Sequence, residues 1–115
     1  MKIGEIYLVE IPAMGGHEQA GYRPAIIFQS EQNLEELPTI LIIPMTSKTK
    51  AVAFPYTLLI KPDQENNLSS SSVALVFQLR AIDQRRLKHK IGTLKNNDII
   101  KIKRLVKKMM MLDKT

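Results

Sequence analysis

The apolar residues of this chain fall into short runs, which polar or glycine- and proline-rich segments separate. The runs are rich in β-branched and aromatic residues, as β-strands are, and each is too short for a typical buried helix. Short strands at this spacing predict a compact antiparallel barrel or curled sheet instead of alternating strand–helix units. The predicted strands span residues 5–11, 25–28, 39–43, 56–60 and 73–77, with a short sixth strand at 89–93.

The C-terminal end has a helical periodicity instead. Apolar residues recur at helical spacing from Ile99 to Met109, and most basic residues lie away from this stripe. Asn96 is the expected N-cap, and Asp98 complements the positive end of the helix dipole. These features predict a helix over residues 97–111. The predicted fold class is therefore mainly β (α+β), a single antiparallel β-barrel domain over residues 1–115 with a long C-terminal α-helix.

Composition excludes several classes of function. The chain has no cysteine, so a disulfide and a thiolate zinc site are excluded, and its two histidines are too few for a histidine-built metal site. The serine-hydrolase elbow, the P-loop and the zinc-protease helix motif do not occur in the sequence. The longest apolar stretches, 39–45 and 73–77, are far shorter than the roughly 20 residues of a membrane helix. Since the N-terminus has no secretion signal, the expected location is the cytoplasm.

The net charge of +6 is distributed unevenly along the chain. Residues 1–79 carry five basic and eight acidic side chains, whereas residues 80–115 carry twelve basic and three acidic ones. A cationic half of this kind suits contact with a polyanion, because neutralised phosphates release their counterions. A well-solvated lysine-rich helix explains the same clustering, so charge alone leaves both interpretations open.

Polar side chains gather in two segments beside predicted strands. Segment 12–22 contains a proline and three glycines, which predicts a long loop, and long loops in compact domains are often functional. Pro44 is expected to close the third strand, so that residues 45–52 form a polar connection; the serines at 69–72 are expected to form only a short polar turn. The polar candidates are His17, Glu18, Gln19 and Arg23 in the first segment and Thr46 and Ser47 in the second.

RNA cleavage is a reaction that these residues can support, because the substrate supplies its own nucleophile, the ribose 2′-hydroxyl. The protein must move protons and stabilise extra negative charge on the phosphoryl oxygens. Arg23 suits the phosphate, since a planar guanidinium binds two oxygens at once, and His17 suits proton transfer near neutral pH. Thr46 can donate a hydrogen bond to the phosphate. Each residue also has a structural interpretation: a surface histidine, an Arg23–Glu18 ion pair and a turn-capping threonine.

Several segments, in order along nearly the whole chain, are similar to the MazF/PemK/Kid family of toxins from toxin–antitoxin pairs. They are Gly4-Glu5-Ile6-Tyr7-Leu8-Val9, Gly16-His17-Glu18-Gln19, Arg23-Pro24-Ala25, Pro44-Met45-Thr46-Ser47, Ser72-Val73, Gln78-Leu79-Arg80-Ala81-Ile82-Asp83, Arg86-Leu87 and Lys90-Ile91-Gly92-Thr93-Leu94. The ordered set is much more specific than any one segment.

The resemblance implies an SH3-like or CcdB/PemK-like β-barrel, a homodimer, that cuts single-stranded RNA such as mRNA at short preferred sequences. The products would carry a 2′,3′-cyclic phosphate and a 5′-hydroxyl, and no metal or cofactor would be required. The family's catalytic arginine and threonine fall on Arg23 and Thr46, and one branch gives a direct role to the histidine at His17. RNA contacts are expected from Glu18, Gln19, Ser47, Lys48, Gln78 and Arg80. The implied partner is an acidic, partly disordered, MazE-like antitoxin that covers the RNA groove.

The chain departs from the family near its fifth predicted strand. Relatives commonly have an acidic residue directly before the glutamine, where this chain has Phe77, and one branch has a catalytic Arg-x-Asp where this chain has Leu75 and Phe77. Those roles do not carry over. Two other hypotheses stay open: a CcdB-like inhibitor of DNA gyrase, which would not need Arg23 and Thr46, and a family member that binds RNA or antitoxin without cleavage.

Overall fold

Seven antiparallel strands and one C-terminal helix form the fold in the computed structural model, which describes residues 1–12 and 20–112. The strands are β1 (Glu5–Ile11), β2 (Gly21–Ile27), β3 (Thr39–Thr46), β4 (Thr57–Ile60), β5 (Ser72–Leu75), β6 (Arg80–Asp83) and β7 (Leu87–Thr93). The helix α1 spans Asn96–Met109, and 3-10 helices lie at Leu34–Glu36, Thr49–Ala53, Val76–Gln78 and Gln84–Arg86. The hydrogen-bonded order is β4-β5-β3-β2-β1-β7, and β6 also pairs with β3.

The long strand β3 connects the two halves of the sheet. Its first four residues pair with β6, its last two pair with β5, and Ile42 to Pro44 pair with β2. Alternating side chains point to opposite faces, so Ile43 enters one core cluster and Ile42 the other. Helix α1 covers the Ile43 side, where its Ile102 is fully buried. The C-terminal end of β3 therefore lies where β2 and β5 flank it.

The predicted fold class is confirmed: the structure is mainly antiparallel β with one C-terminal helix. In its described part the sheet is open, because β4 and β7 lie at opposite ends of the strand order and do not pair with each other. The first predicted strand has the observed bounds, β4 begins one residue later than predicted, and β2 and β7 begin earlier. Residues 76–78 form a 3-10 helix instead of the end of β5, and β6 was not predicted.

The prediction that Pro44 closes the third strand was wrong, because β3 continues to Thr46. Pro44 lies between the part of β3 that pairs with β6 and the part that pairs with β5. On that side of β3 neither strand pairs with Pro44, although β2 pairs with it on the other side through Ala25, and a strand tolerates proline where no partner needs its backbone donor. The extension places Thr46 in a strand and not in the polar connection.

The bounds of the helix were also partly wrong. Lys95, not Asn96, is the N-cap, and its carbonyl accepts hydrogen bonds from the backbone N–H groups of Asp98 and Ile99 at 3.0 and 3.2 Å. The helix ends at Met109 because Met111 adopts a left-handed conformation, with φ of 58°, and Leu112 N–H returns to the Lys107 carbonyl at 2.7 Å. Within residues 1–12 and 20–112, no helix has the length and apolar content to cross a membrane.

Asp83 makes the fold sensitive to acid at the turn before β7. Its carboxylate accepts the Arg85 backbone N–H at 2.9 Å and two guanidinium N–H groups of Arg85 at 3.1 and 2.9 Å. The Arg85 side chain and backbone hydrogen bonds lower the pKa of Asp83 from 3.8 to about 2. A carboxyl group whose pKa falls on folding stabilises the fold above its unfolded pKa, and this stabilisation is lost as the pH falls through the folded value.

We therefore expect Asp83→Asn to remove a pH-dependent part of the stability. The difference in free energy of unfolding between the wild type and Asp83→Asn should be largest above pH 4 and should shrink as the pH falls towards 2. Urea unfolding at pH 6, 4, 3 and 2 measures this difference, and the exposed Glu31→Gln serves as the matched control. A difference that does not change with pH would contradict the assignment.

Candidate active site

Arg23 lies near the start of β2, in the part of this strand that no longer pairs with β3. It pairs with Val9 of β1, whereas the β2–β3 pairing ends at Ala25 and Pro44. Its side chain is half-buried, and its Nε donates a hydrogen bond to the Ala20 carbonyl at 2.8 Å. That bond fixes one edge of the guanidinium. Among the described residues no acceptor binds the terminal nitrogens, so these donors can bind an anion.

A cavity of about 360 Å³ opens beside Arg23, and we call it the Arg23 cavity. Its polar lining consists of Tyr22, Arg23, Ser47, Asn67, Ser69, Ser70 and Ser72, and Pro24, Met45, Leu68 and Ile91 contribute apolar surface. A guanidinium with hydroxyl and amide groups, and with no carboxylate in this lining, favours binding of an anionic ligand that also offers hydrogen-bonding edges.

The segment between β4 and β5 forms one wall of the Arg23 cavity, and sequence analysis missed it. A buried asparagine, Asn66, fixes this segment: its Oδ1 accepts the backbone N–H groups of Asp63 and Leu68 at 3.0 Å each, and its Nδ2 donates to the Lys61 carbonyl at 2.9 Å. Further along, the Ser72 hydroxyl donates to the Ser70 carbonyl at 3.1 Å. The serines are therefore part of an ordered cavity wall and not only a polar turn.

Thr46 is the last residue of β3, and it is only 4% exposed. Its Oγ1 accepts the Lys48 backbone N–H at 3.2 Å, a local turn in which a hydroxyl binds the backbone two residues ahead. It lines a second cavity, of about 390 Å³, which we call the Thr46 cavity. The other lining residues are Lys48, Lys50, Ala51, Ala53 and Phe54.

The two candidate groups line different cavities at the end of β3. Met45 and Ser47 line the Arg23 cavity, whereas Thr46 lines its own cavity, as expected from the alternation of side chains along a strand. Arg23 and Thr46 each lie two residues beyond the last β2–β3 pair, at the same end of the sheet. Continued from the Ala25–Pro44 pair, the antiparallel register sets Arg23 opposite Thr46, which gives their side chains the same face of the sheet although they line different cavities.

The remaining candidates have different positions. His17, Glu18 and Gln19 lie outside the described residues. Gln78 is half-buried at the end of a 3-10 helix, and Arg80 opens β6 opposite Ile42. The Nη1 of Arg80 is buried and, within the described part of the chain, has no hydrogen-bond partner. Neither Gln78 nor Arg80 lines the two cavities.

Comparison with known proteins places this architecture in a family. The model of the PemK-like, MazF-like toxins of type II toxin–antitoxin systems matches residues 2–110. The chain belongs to this family. It is 31% identical over 91 residues to Endoribonuclease MazF of Staphylococcus saprophyticus, covering 79% of this chain and 75% of the relative. It is 29% identical over 99 residues to Endoribonuclease MazF of Staphylococcus epidermidis, covering 86% and 82%.

Solved structures of the family have the same fold. MazF of Deinococcus radiodurans superposes with a TM-score of 0.80 at 21% identity, covering 96% of each chain. A MazE–MazF structure from the same organism gives a TM-score of 0.72 at 19% identity, covering 96% of this chain and 95% of the other. The family predicted from the ordered sequence segments is thereby confirmed.

Proposed function

We propose that this protein is a metal-independent endoribonuclease toxin that cleaves single-stranded mRNA at short preferred sequences and so inhibits translation and growth. The observation that carries the proposal is the Arg23 guanidinium, which is held by the Ala20 carbonyl and directed to a cavity lined by hydroxyl and amide groups. The family membership and the endoribonuclease relatives support the same activity.

The proposed reaction is a transesterification within the RNA. The 2′-oxygen attacks the adjacent phosphorus and loses its proton, the bond from phosphorus to the 5′-oxygen breaks, and that oxygen gains a proton. The products are a 2′,3′-cyclic phosphate and a 5′-hydroxyl. Arg23 stabilises the negative charge that accumulates on the phosphoryl oxygens, because its terminal donors, which bind no acceptor among residues 1–12 and 20–112, form a planar fork. His17 assists the proton transfer.

Thr46 has the hydrogen-bond arrangement that a phosphate-positioning residue requires. Its oxygen already accepts the Lys48 N–H, so the hydroxyl proton is available to a phosphate oxygen. Of the next two residues along the chain, Ser47 lines the Arg23 cavity and Lys48 lines the Thr46 cavity. A phosphate that contacts both Arg23 and Thr46 would therefore lie at this end of β2 and β3, with one neighbouring nucleotide towards each cavity.

The partners in this proposal follow from charge and from the relatives. An acidic, partly disordered antitoxin of the MazE type would compete with RNA for a cationic surface, and the Deinococcus MazF has been crystallised with MazE. Helix α1 offers such a surface through the exposed side chains of Lys101, Lys103, Arg104, Lys107 and Lys108. We further propose a homodimer, acting in the cytoplasm, with RNA contacts from Glu18, Gln19, Gln78 and Arg80.

We expect the purified protein to cut a mixed-sequence RNA in the presence of EDTA. The new 5′ ends should accept label from a polynucleotide kinase without prior phosphatase treatment, and the new 3′ ends should resist ligation until the cyclic phosphate is removed. Sequencing the 5′ ends gives the preferred sequence. RNA with 2′-O-methyl groups is the matched control, and it should stay intact because its nucleophile is blocked.

Two outcomes would contradict the proposal. Cleavage that EDTA abolishes and Mg²⁺ restores would exclude the metal-independent mechanism. Intact RNA together with inhibited supercoiling by DNA gyrase would favour the gyrase-inhibitor hypothesis instead.

A further inference from the structure

Two phenylalanines form an exposed aromatic pair beside the Thr46 cavity. Phe54 and Phe77 are 58% and 39% exposed, although burial of a phenylalanine is favourable. Their ring centroids are 5.5 Å apart at an interplanar angle of 51°. They are two of the three phenylalanines in the chain, and Phe77 stands where the family resemblance leads to an acidic residue. The pair therefore requires an explanation other than core packing.

Hydrogen bonds hold the main chain of both phenylalanines in place. Phe77 N–H donates to the Tyr56 carbonyl at 3.2 Å, and Phe54 N–H donates to the Ala51 carbonyl at 3.0 Å. The Thr57 hydroxyl also donates to the Phe54 carbonyl at 2.9 Å. A ring whose backbone is fixed loses little conformational freedom when a ligand stacks on it. The pair is thus pre-organised for contact.

The surroundings of the pair are cationic. Phe54 lines the Thr46 cavity together with Lys48 and Lys50, and this lining contains no carboxylate. Both lysines are exposed, and neither forms an ion pair with another described residue. Aromatic rings beside unpaired cations are the combination by which proteins bind single-stranded nucleic acid: bases stack on the rings and phosphates bind the cations.

We propose that Phe54 and Phe77 form a stacking platform for one RNA base, with Lys48 and Lys50 on the adjoining phosphates. This platform selects the nucleotide on the Thr46 side of the scissile phosphate, and the inference rests on the proposed function. An acidic peptide would bind the lysines and leave the ring faces unused, whereas RNA uses both.

A single tryptophan can report the stacking, since the chain contains none. Phe54→Trp should lose fluorescence in a saturable way when single-stranded 2′-O-methyl oligonucleotides are added, because a stacked base quenches indole emission. The matched control is Leu37→Trp, which is placed at a 47% exposed leucine beyond the opposite end of β3 and should respond little. Equal quenching of both variants would overturn the proposal. The proposal would also be overturned if the fluorescence of Phe54→Trp fell with added polyglutamate peptide, or with rising protein concentration, and not with added RNA.

Replacement of each ring by an aliphatic group tests the energetic contribution. Phe54→Leu and Phe77→Leu should each raise the Kd for the best-bound oligonucleotide about tenfold, whereas Phe54→Tyr and Phe77→Tyr should stay close to the wild type. In cleavage assays the leucine variants should raise KM more than they lower kcat and should change the base preference beside the cut. Unchanged Kd and base preference with intact cleavage would overturn the platform alone. Stacking without cleavage would overturn the proposed function and leave the platform standing.

Discussion

Arg23→Ala is expected to lower the rate of RNA cleavage by about 100- to 1,000-fold, the usual cost of removing one donor from a developing oxyanion. The fold should survive, because the only described hydrogen bond of this side chain goes to the Ala20 carbonyl at 2.8 Å. Arg23→Lys keeps the charge but loses the planar fork, so it should recover only a small part of the activity. Single-turnover cleavage of a labelled oligonucleotide at saturating enzyme measures the effect on the chemical step.

The matched control for this prediction is Arg104→Ala. Arg104 is exposed on helix α1 and lines neither cavity, so this variant removes the same charge without touching the candidate site. It should weaken RNA association at low salt and leave the single-turnover rate near that of the wild type. Equal rates for Arg23→Ala and Arg104→Ala would show that Arg23 contributes only general electrostatics, and the proposed mechanism would be wrong.

Local patterns predicted the elements with a strong composition or periodicity. The first strand was found from its β-branched and aromatic residues, among which Ile6 and Val9 are fully buried, and the core of α1 from its helical apolar spacing, which includes the fully buried Ile102. The strand β6 was missed because only Ile82 of its four residues is buried, and its strand character comes from pairing with Thr39–Ile42, some forty residues away. Pairing over such a distance leaves no local signal.

The candidate site was predicted less completely than the fold. Arg23 and Thr46 were identified, but ending β3 at Pro44 concealed the alternation that sends Thr46 to the opposite side from Met45 and Ser47. The serine-rich wall was treated as a turn. Its signal was the spacing of Asp63 and Asn66, two residues whose side chains bind nearby backbone, yet only the structure shows which cavity that segment borders.

Asn66→Ala is expected to destabilise the protein by about 3 kcal/mol and to lower Tm by roughly 10 °C. Asn66 is fully buried, and its side chain binds the backbone of Asp63, Leu68 and Lys61 at 2.9–3.0 Å. Truncation would leave two partly buried backbone donors, of Asp63 and Leu68, and one acceptor, of Lys61, without their partner. The backbone has little room to adjust, since a Cβ at Gly92 would already meet the Asn66 carbonyl carbon at 2.6 Å.

Thermal and urea unfolding followed by circular dichroism measure this loss, and Asn97→Ala is the matched control because Asn97 is exposed in the first turn of α1. Asn66→Asp separates donor from acceptor. It keeps the oxygen that accepts the N–H groups of Asp63 and Leu68 but replaces the donor to Lys61 by a buried carboxylate. Burial disfavours that charge, so this variant should be least stable at neutral pH and should recover as the carboxyl group is protonated.

Because the same segment carries Asn67, Ser69 and Ser70 into the Arg23 cavity, both Asn66 variants should also raise KM for RNA at temperatures where they remain folded. An Asn66→Ala protein as stable as Asn97→Ala would contradict the assignment of Asn66 as the residue that holds this wall of the cavity.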